Sequence, residues 1–112
     1  MIYVFLATGF EDIEALAPVD IMRRAGLPVE TVSVTGTEIV ESAHAVGIKA
    51  DRMLADIDFR KADMIVLPGG LPGSTNLDAC VPLYAAPLRI SVLWCMGCPQ
   101  ERNLLGTPID LC

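Results

Sequence analysis

The sequence predicts an α/β fold built on a mostly parallel sheet. Three features carry that expectation: the short continuous apolar runs Ile2 to Ala7 and Met64 to Leu67, the helix-patterned segment directly after the first, and the glycine- and proline-rich loop Pro68 to Gly73 directly after the second. Strands alternating with helices are connected as βα units, and those units build parallel sheets.

Each element follows from its residues. Ile2 to Ala7 combines β-branched and aromatic side chains without a charge, the pattern of a strand covered on both faces. Thr8-Gly9-Phe10-Glu11 fits the S/T-x-x-E capping box and predicts a helix start. Ile13, Leu16, Ala17, Val19, Ile21 and Met22 then lead through Arg23 and Arg24 to Gly26, a basic last turn with a glycine stop. Pro18 lies four residues beyond Glu14, removes the donor for the Glu14 carbonyl and predicts a kink. Val29 to Val34 reads as a second strand, with Glu30 and Thr31 interleaved among apolar positions. Glu38 to Leu54 is β-rich with a bend or bulge at Gly47, and Asp58 to Lys61 suits one helical turn. Met64 to Leu67 is the clearest buried strand, and it stops abruptly at Pro68-Gly69-Gly70.

At 112 residues, 53% hydrophobic and 20% charged, the chain has the make-up of one domain with a single core. Fourteen acidic against eight basic residues give a formal charge of −6, which argues against nucleic acid as a partner because phosphate binding is dominated by cations. Mean hydropathy is +0.51, but no apolar run approaches the roughly 20 residues of a membrane-spanning helix, so no membrane partner is expected. The start, Met1 to Leu6, lacks a basic segment and runs on to Glu11 and Asp12, so it reads as a strand and not as a signal peptide. A cytoplasmic location with four reduced thiols is the resulting expectation.

Composition changes near residue 80. The tail, residues 81 to 112, holds only Arg89, Glu101, Arg102 and Asp110 among charged residues, together with Pro82, Pro87, Pro99 and Pro108 and the cysteines Cys95, Cys98 and Cys112. Prolines at that density allow only short elements.

In open parallel sheets ligands bind at the carboxyl ends of strands, where strand order reverses. Two strand ends here carry unusual residues: Thr8, Gly9 and, a helical turn on, Glu14 after the first strand, and Gly69-Gly70 after the Met64 strand. On position alone Glu14 also reads as a solvated residue favouring the helix dipole, and the diglycine as a tight turn. Its functional reading is a pair of backbone N–H groups that approach an anion or oxyanion.

Taken together, the opening strand, Gly9-Phe10-Glu11-Asp12-Ile13-Glu14-Ala15, Pro18 to Gly26, Gly47-Ile48-Lys49-Ala50-Asp51, and Val66 to Gly73 with Asn76-Leu77 closely resemble the ThiJ/PfpI family. That family includes the parkinsonism-associated protein deglycase and bacterial proteins once tied to thiazole biosynthesis. The resemblance covers residues 1 to about 80 and leaves 81 to 112 as a divergent tail of one domain, 1–112. It implies a flavodoxin-like three-layer sandwich, related to the class I glutamine amidotransferase-like fold, usually a homodimer, with a cysteine nucleophile on a strand-to-helix elbow. It implies that Glu14 hydrogen-bonds the cysteine and that the backbone at Gly70 helps form an oxyanion hole. Glyoxalase, deglycase, peptidase and chaperone functions are reported in the family, none requiring a cofactor.

The elbow departs from the family pattern. Its nearest counterpart is Ile90-Ser91-Val92-Leu93-Trp94-Cys95-Met96-Gly97-Cys98-Pro99, in which the proline falls one residue late. The family's catalytic histidine follows the elbow, whereas His44, the sole histidine, precedes the diglycine and reads as a surface or strand-edge residue. An incomplete family domain, truncated or frameshifted after residue 80, is the expectation. Cys95 is the nucleophile candidate, with Glu14 and Gly70 beside it, although a buried cysteine is by default an inert small hydrophobe.

The expected substrate is a small reactive carbonyl or a glycated group, with no cofactor and no metal. A rival reading is thiol redox exchange by Cys95-Met96-Gly97-Cys98, though only 14 residues follow Cys98. That motif supplies two thiolates where structural zinc usually takes four ligands. A third reading is a non-enzymatic chaperone-like or binding module. Cys80 and Cys112 carry no motif.

Overall fold

The five strands of the main sheet are all parallel and lie in the order β5-β2-β1-β6-β7: β1 (Ile2–Leu6), β2 (Val29–Ser33), β5 (Arg52–Met53), β6 (Met64–Leu67) and β7 (Ser91–Trp94). This computed structural model describes residues 1–80 and the strand 91–94. The three strands read from the sequence as parallel neighbours are indeed adjacent, with β1 in the middle.

Side-chain alternation explains why β1 carries no polar residue. Ile2, Val4 and Leu6 pack with Ala15 and Val19 of α1 (Asp12–Arg24) on one face, while Tyr3, Phe5 and Ala7 pack with Leu77 of α2 (Gly73–Asp78) on the other. A strand with helices on both sides needs apolar residues at every position. On the α2 side Phe5 stacks on Phe59, ring centroids 5.9 Å apart, and Phe59 belongs to the 3₁₀ turn Phe59–Lys61 capped by Asp58.

The polar residues of β2 are satisfied locally. Asp51 Oδ2 accepts from the Thr31 N–H at 2.8 Å, the Thr31 hydroxyl at 3.0 Å and Arg23 at 2.6 Å, tying the end of α1 to the sheet beside β5. Burial acts to raise the Asp51 carboxyl, but the Thr31 hydrogen bonds and the Arg23 guanidinium outweigh it and hold the group below its ordinary value.

Two local expectations are revised. The cap of α1 is Glu11, whose carboxylate accepts from the Glu14 N–H at 3.0 Å, and Thr8 does not cap it. The helix spans Asp12–Arg24 with Pro18 inside it. Its end is a Schellman motif: the Gly26 N–H donates to the Arg23 carbonyl and the Leu27 N–H to the Met22 carbonyl, with Gly26 at φ +78. The β-rich stretch after Glu38 divides in two. Strands β3 (Ile39–Glu41) and β4 (Gly47–Lys49) form a separate antiparallel hairpin, and only Arg52–Met53 joins the main sheet.

Candidate functional site

Strand order reverses at β1, which has β2 on one side and β6 on the other, so the crevice between the carboxyl ends of β1 and β6 is the switch point of the sheet. Two connections meet there: the loop from β1 into α1, and the diglycine loop after β6. Glu14, in the first turn of α1, accepts from the Gly69 N–H through Oε2 at 2.8 Å. The Gly69 carbonyl in turn accepts from the Glu11 N–H at 2.9 Å. Gly69 is therefore clamped against the first turn of α1 through both its backbone donor and its backbone acceptor.

Glycine is required at the next position. Gly70 has φ +92, and a Cβ there would lie 2.7 Å from the Glu11 nitrogen and 2.9 Å from its Cβ. The left-handed conformation and the close approach both exclude a side chain. Gly73 sits as tightly against Phe10 and Gly9, its N–H donating to the Gly9 carbonyl at 3.1 Å, and Asn76 Nδ2 donates to the Thr8 carbonyl at 2.8 Å. The two loops are thus sewn together along their length, and the Gly70 N–H has no acceptor among the described residues. A rigid loop with a spare backbone donor is the kind of group that stabilises an oxyanion.

β7 brings a third connection to this end of the sheet. It runs parallel to β6 in a register that pairs Leu67 with Trp94, so its last residue lies beside the end of β6. The nucleophile candidate Cys95 is the next residue in the chain and lies outside the described residues, as do Cys98 and Cys112. Cys80 lies half-buried just after α2 and packs against the core.

On the opposite flank of α1 lie residues whose contact no sequence spacing predicts. His44 lies in the turn between β3 and β4, with Nδ1 2.9 Å from Asp12 Oδ1, and the Ser42 hydroxyl donates to Asp12 Oδ2 at 2.7 Å. His44 is exposed, as its surface reading expects, and it has in addition an acidic partner 32 residues earlier, a distance at which no local spacing signals contact. Glu11, Asp12 and His44 bring ligand-type atoms within 4.8 Å of one another, the grouping of that kind among the described residues that is close enough for a cation. Asp12 is engaged there by Ser42 and His44, and Glu11 by the helix cap. A separate, mostly apolar hollow of about 400 Å³, lined by Ser33, Val34, Gly36, Met53, Leu54 and Ala55, lies at the ends of β2 and β5 and includes none of the site residues.

The profile of the DJ-1/PfpI family matches residues 1–86, a span that contains Glu14 and both glycines. The chain belongs to the DJ-1/PfpI family. It is 41% identical over 78 residues to Protein DJ-1 homolog B of Arabidopsis thaliana, a match covering 70% of this chain and 18% of that protein. It is 43% identical over 76 residues to the Parkinson disease protein 7 homolog of Danio rerio, covering 67% of this chain and 40% of the relative. The crystal structure of Drosophila melanogaster DJ-1beta superposes with a TM-score of 0.74 at 32% identity, covering 83% of this chain and 53% of that one. The chain therefore spans less than half the length of these two sequence relatives. The sheet order and the helices on both faces give it the flavodoxin-like architecture of this DJ-1/PfpI fold. Among the described residues no helix is long and apolar enough to cross a membrane.

Proposed function

We propose that this DJ-1/PfpI chain carries the site of a cofactor-independent, cysteine-dependent enzyme acting on reactive carbonyls of the glyoxalase or deglycase type. The observation that carries the reading is the 2.8 Å bond from the Gly69 N–H to Glu14 Oε2, which fixes a carboxylate beside the diglycine at the switch point. The Cys95 thiolate, one residue beyond β7, attacks the carbonyl carbon of an aldehyde or dicarbonyl. A C–S bond forms, the carbonyl π pair moves onto oxygen, and the Gly70 N–H stabilises that oxyanion until a proton delivered through Glu14 gives the hemithioacetal. The Gly69 N–H holds the Glu14 carboxylate through Oε2 and so fixes where the proton is passed.

Methylglyoxal consumption by the purified chain tests the reading. Glu14→Gln should slow turnover by about 10²-fold or more, the usual contribution of a positioned acid or base, and Cys95→Ser should abolish it. Unchanged turnover in Cys95→Ser overturns the proposal.

The same reading places the protein in the cytoplasm as a homodimer. Ile13 and Ile21, 73% and 59% exposed, flank Ala17 on one face of α1 and supply an apolar stripe for a second copy. Sedimentation of the wild type and of Ile13→Lys checks it: a dimer that the lysine converts to monomer is expected, and a monomeric wild type contradicts it.

A further inference from the structure

The first turn of α1 is held from two sides. Asp12 and Glu14 are two residues apart, about 200° around a helix, so their side chains leave on nearly opposite faces. Glu14 reaches the Gly69 N–H. Asp12 reaches the turn after β3, where Ser42 and His44 take its two carboxylate oxygens at 2.7 and 2.9 Å. Ser42 is buried, and its hydroxyl oxygen also accepts from the N–H groups of His44 at 3.2 Å and Val46 at 3.1 Å. The hydroxyl that grips Asp12 is thus the one that shapes the turn. Ala45, at φ +61, shows how tightly that turn is wound. Backbone bonds run alongside, from the Ala43 N–H to the Phe10 carbonyl at 2.8 Å and from the Gly9 N–H to the Glu41 carbonyl at 2.9 Å.

We propose that Ser42, His44 and Asp12 form a brace that positions Glu14 against Gly69, and that the brace tightens when His44 carries a proton. The inference rests on the reading of Glu14 as the working carboxylate of the site. The charged groups facing His44 are Asp12 and Glu11, both from the start of α1, while Ser42, Ala43, Ala45 and Val46 bring none. The hydrogen bond and the charge of Asp12 raise the imidazole above its ordinary 6.5, Glu11 adds to this, and burial opposes it. His44 holds the Asp12 carboxyl below its ordinary range in return, with Ser42 assisting. Below the raised imidazole value the contact is a charge-assisted bond. As the pH rises through that value it becomes a neutral hydrogen bond of about half the strength, and the hold on the turn slackens.

His44 is the only histidine, so its imidazole resonances in a labelled full-length chain are unambiguous. The experiment follows those resonances, the Gly69 amide shift and Gly69 hydrogen exchange against pH, with methylglyoxal turnover measured on the same samples. In the wild type, the Gly69 shift should step at the His44 midpoint. Asp12→Asn should remove the step and speed Gly69 exchange about tenfold relative to the Val4 amide of β1. His44→Gln, an exposed change that keeps a neutral donor, should retain most of the protection and lose the step; it covers the case in which Asp12→Asn fails to fold. A wild type without a Gly69 step at that midpoint, or a step that survives in His44→Gln, overturns the brace. A step in a chain that turns over no methylglyoxal supports the brace and counts against the proposed reaction instead.

Discussion

Replacing Gly70 with alanine strikes the clamp at its narrowest point, and Gly26 supplies a control for the size of the effect. Both residues have positive φ, +92 and +78, but a Cβ at Gly26 meets nothing within 4 Å whereas one at Gly70 lies 2.7 Å from the Glu11 nitrogen. Gly26→Ala therefore reports the left-handed conformation alone, about 1–2 kcal/mol. Gly70→Ala adds a collision with backbone that has no flexible end to swing away, about 1–3 kcal/mol of overpacking on top of a left-handed cost of about 1–2. The expected loss is about 2–5 kcal/mol in all. Urea unfolding followed by circular dichroism measures both variants against the wild type. The alanine should also push the diglycine away from α1, so the Gly69 amide should lose protection in Gly70→Ala and keep it in Gly26→Ala. Equal losses in the two variants would refute the close approach, and with it the rigidity claimed for the oxyanion donor.

Further expectations concern the core, the Asp51 staple and the helix cap. Phe5 is fully buried and Phe59 only partly, so Phe5→Ala should cost about 3–5 kcal/mol and Phe59→Ala clearly less in the same urea assay. Asp51 has a depressed folded-state value, so its contribution is present above the ordinary carboxylate range and is lost as the pH falls through the folded-state value. Urea midpoints measured near neutrality and in acid should therefore fall further in the wild type than in Asp51→Asn. Removing the Glu11 cap in Glu11→Ala should cost about 0.5–2 kcal/mol, checked by thermal melting.

How much of this was legible in the sequence depends on the range of the interactions. β1 and β6 declared themselves because helices on both sides exclude polar residues, and the helix end at Arg23, Arg24 and Gly26 because a Schellman turn is written in consecutive residues. The capping box misled. Thr8 and Gly9 are engaged across the loop by Asn76, Glu41 and Gly73, which leaves Glu11 to cap the helix, and that arrangement depends on residues more than 30 positions away. Glu14 and the diglycine were recognisable as a family motif, yet the specific partner, the Gly69 N–H, needed the switch-point geometry. His44 was legible as a surface residue, but its contact with Asp12 was not, because only the β3–β4 hairpin carries it there. Nothing in a period of two or 3.6 residues encodes that meeting.

The central claim is that Cys95 is the nucleophile of a site set by Glu14 and Gly70, and thiol-resolved alkylation tests it most directly. Iodoacetamide labelling rates for Cys80, Cys95, Cys98 and Cys112 are measured by peptide mass spectrometry, with and without methylglyoxal, in the wild type and in Glu14→Gln. Cys95 should be the fastest thiol, methylglyoxal should protect it, and Glu14→Gln should change its rate while leaving that of Cys80 alone. A Cys95 that reacts no faster than Cys80, or that methylglyoxal does not protect, would contradict the account.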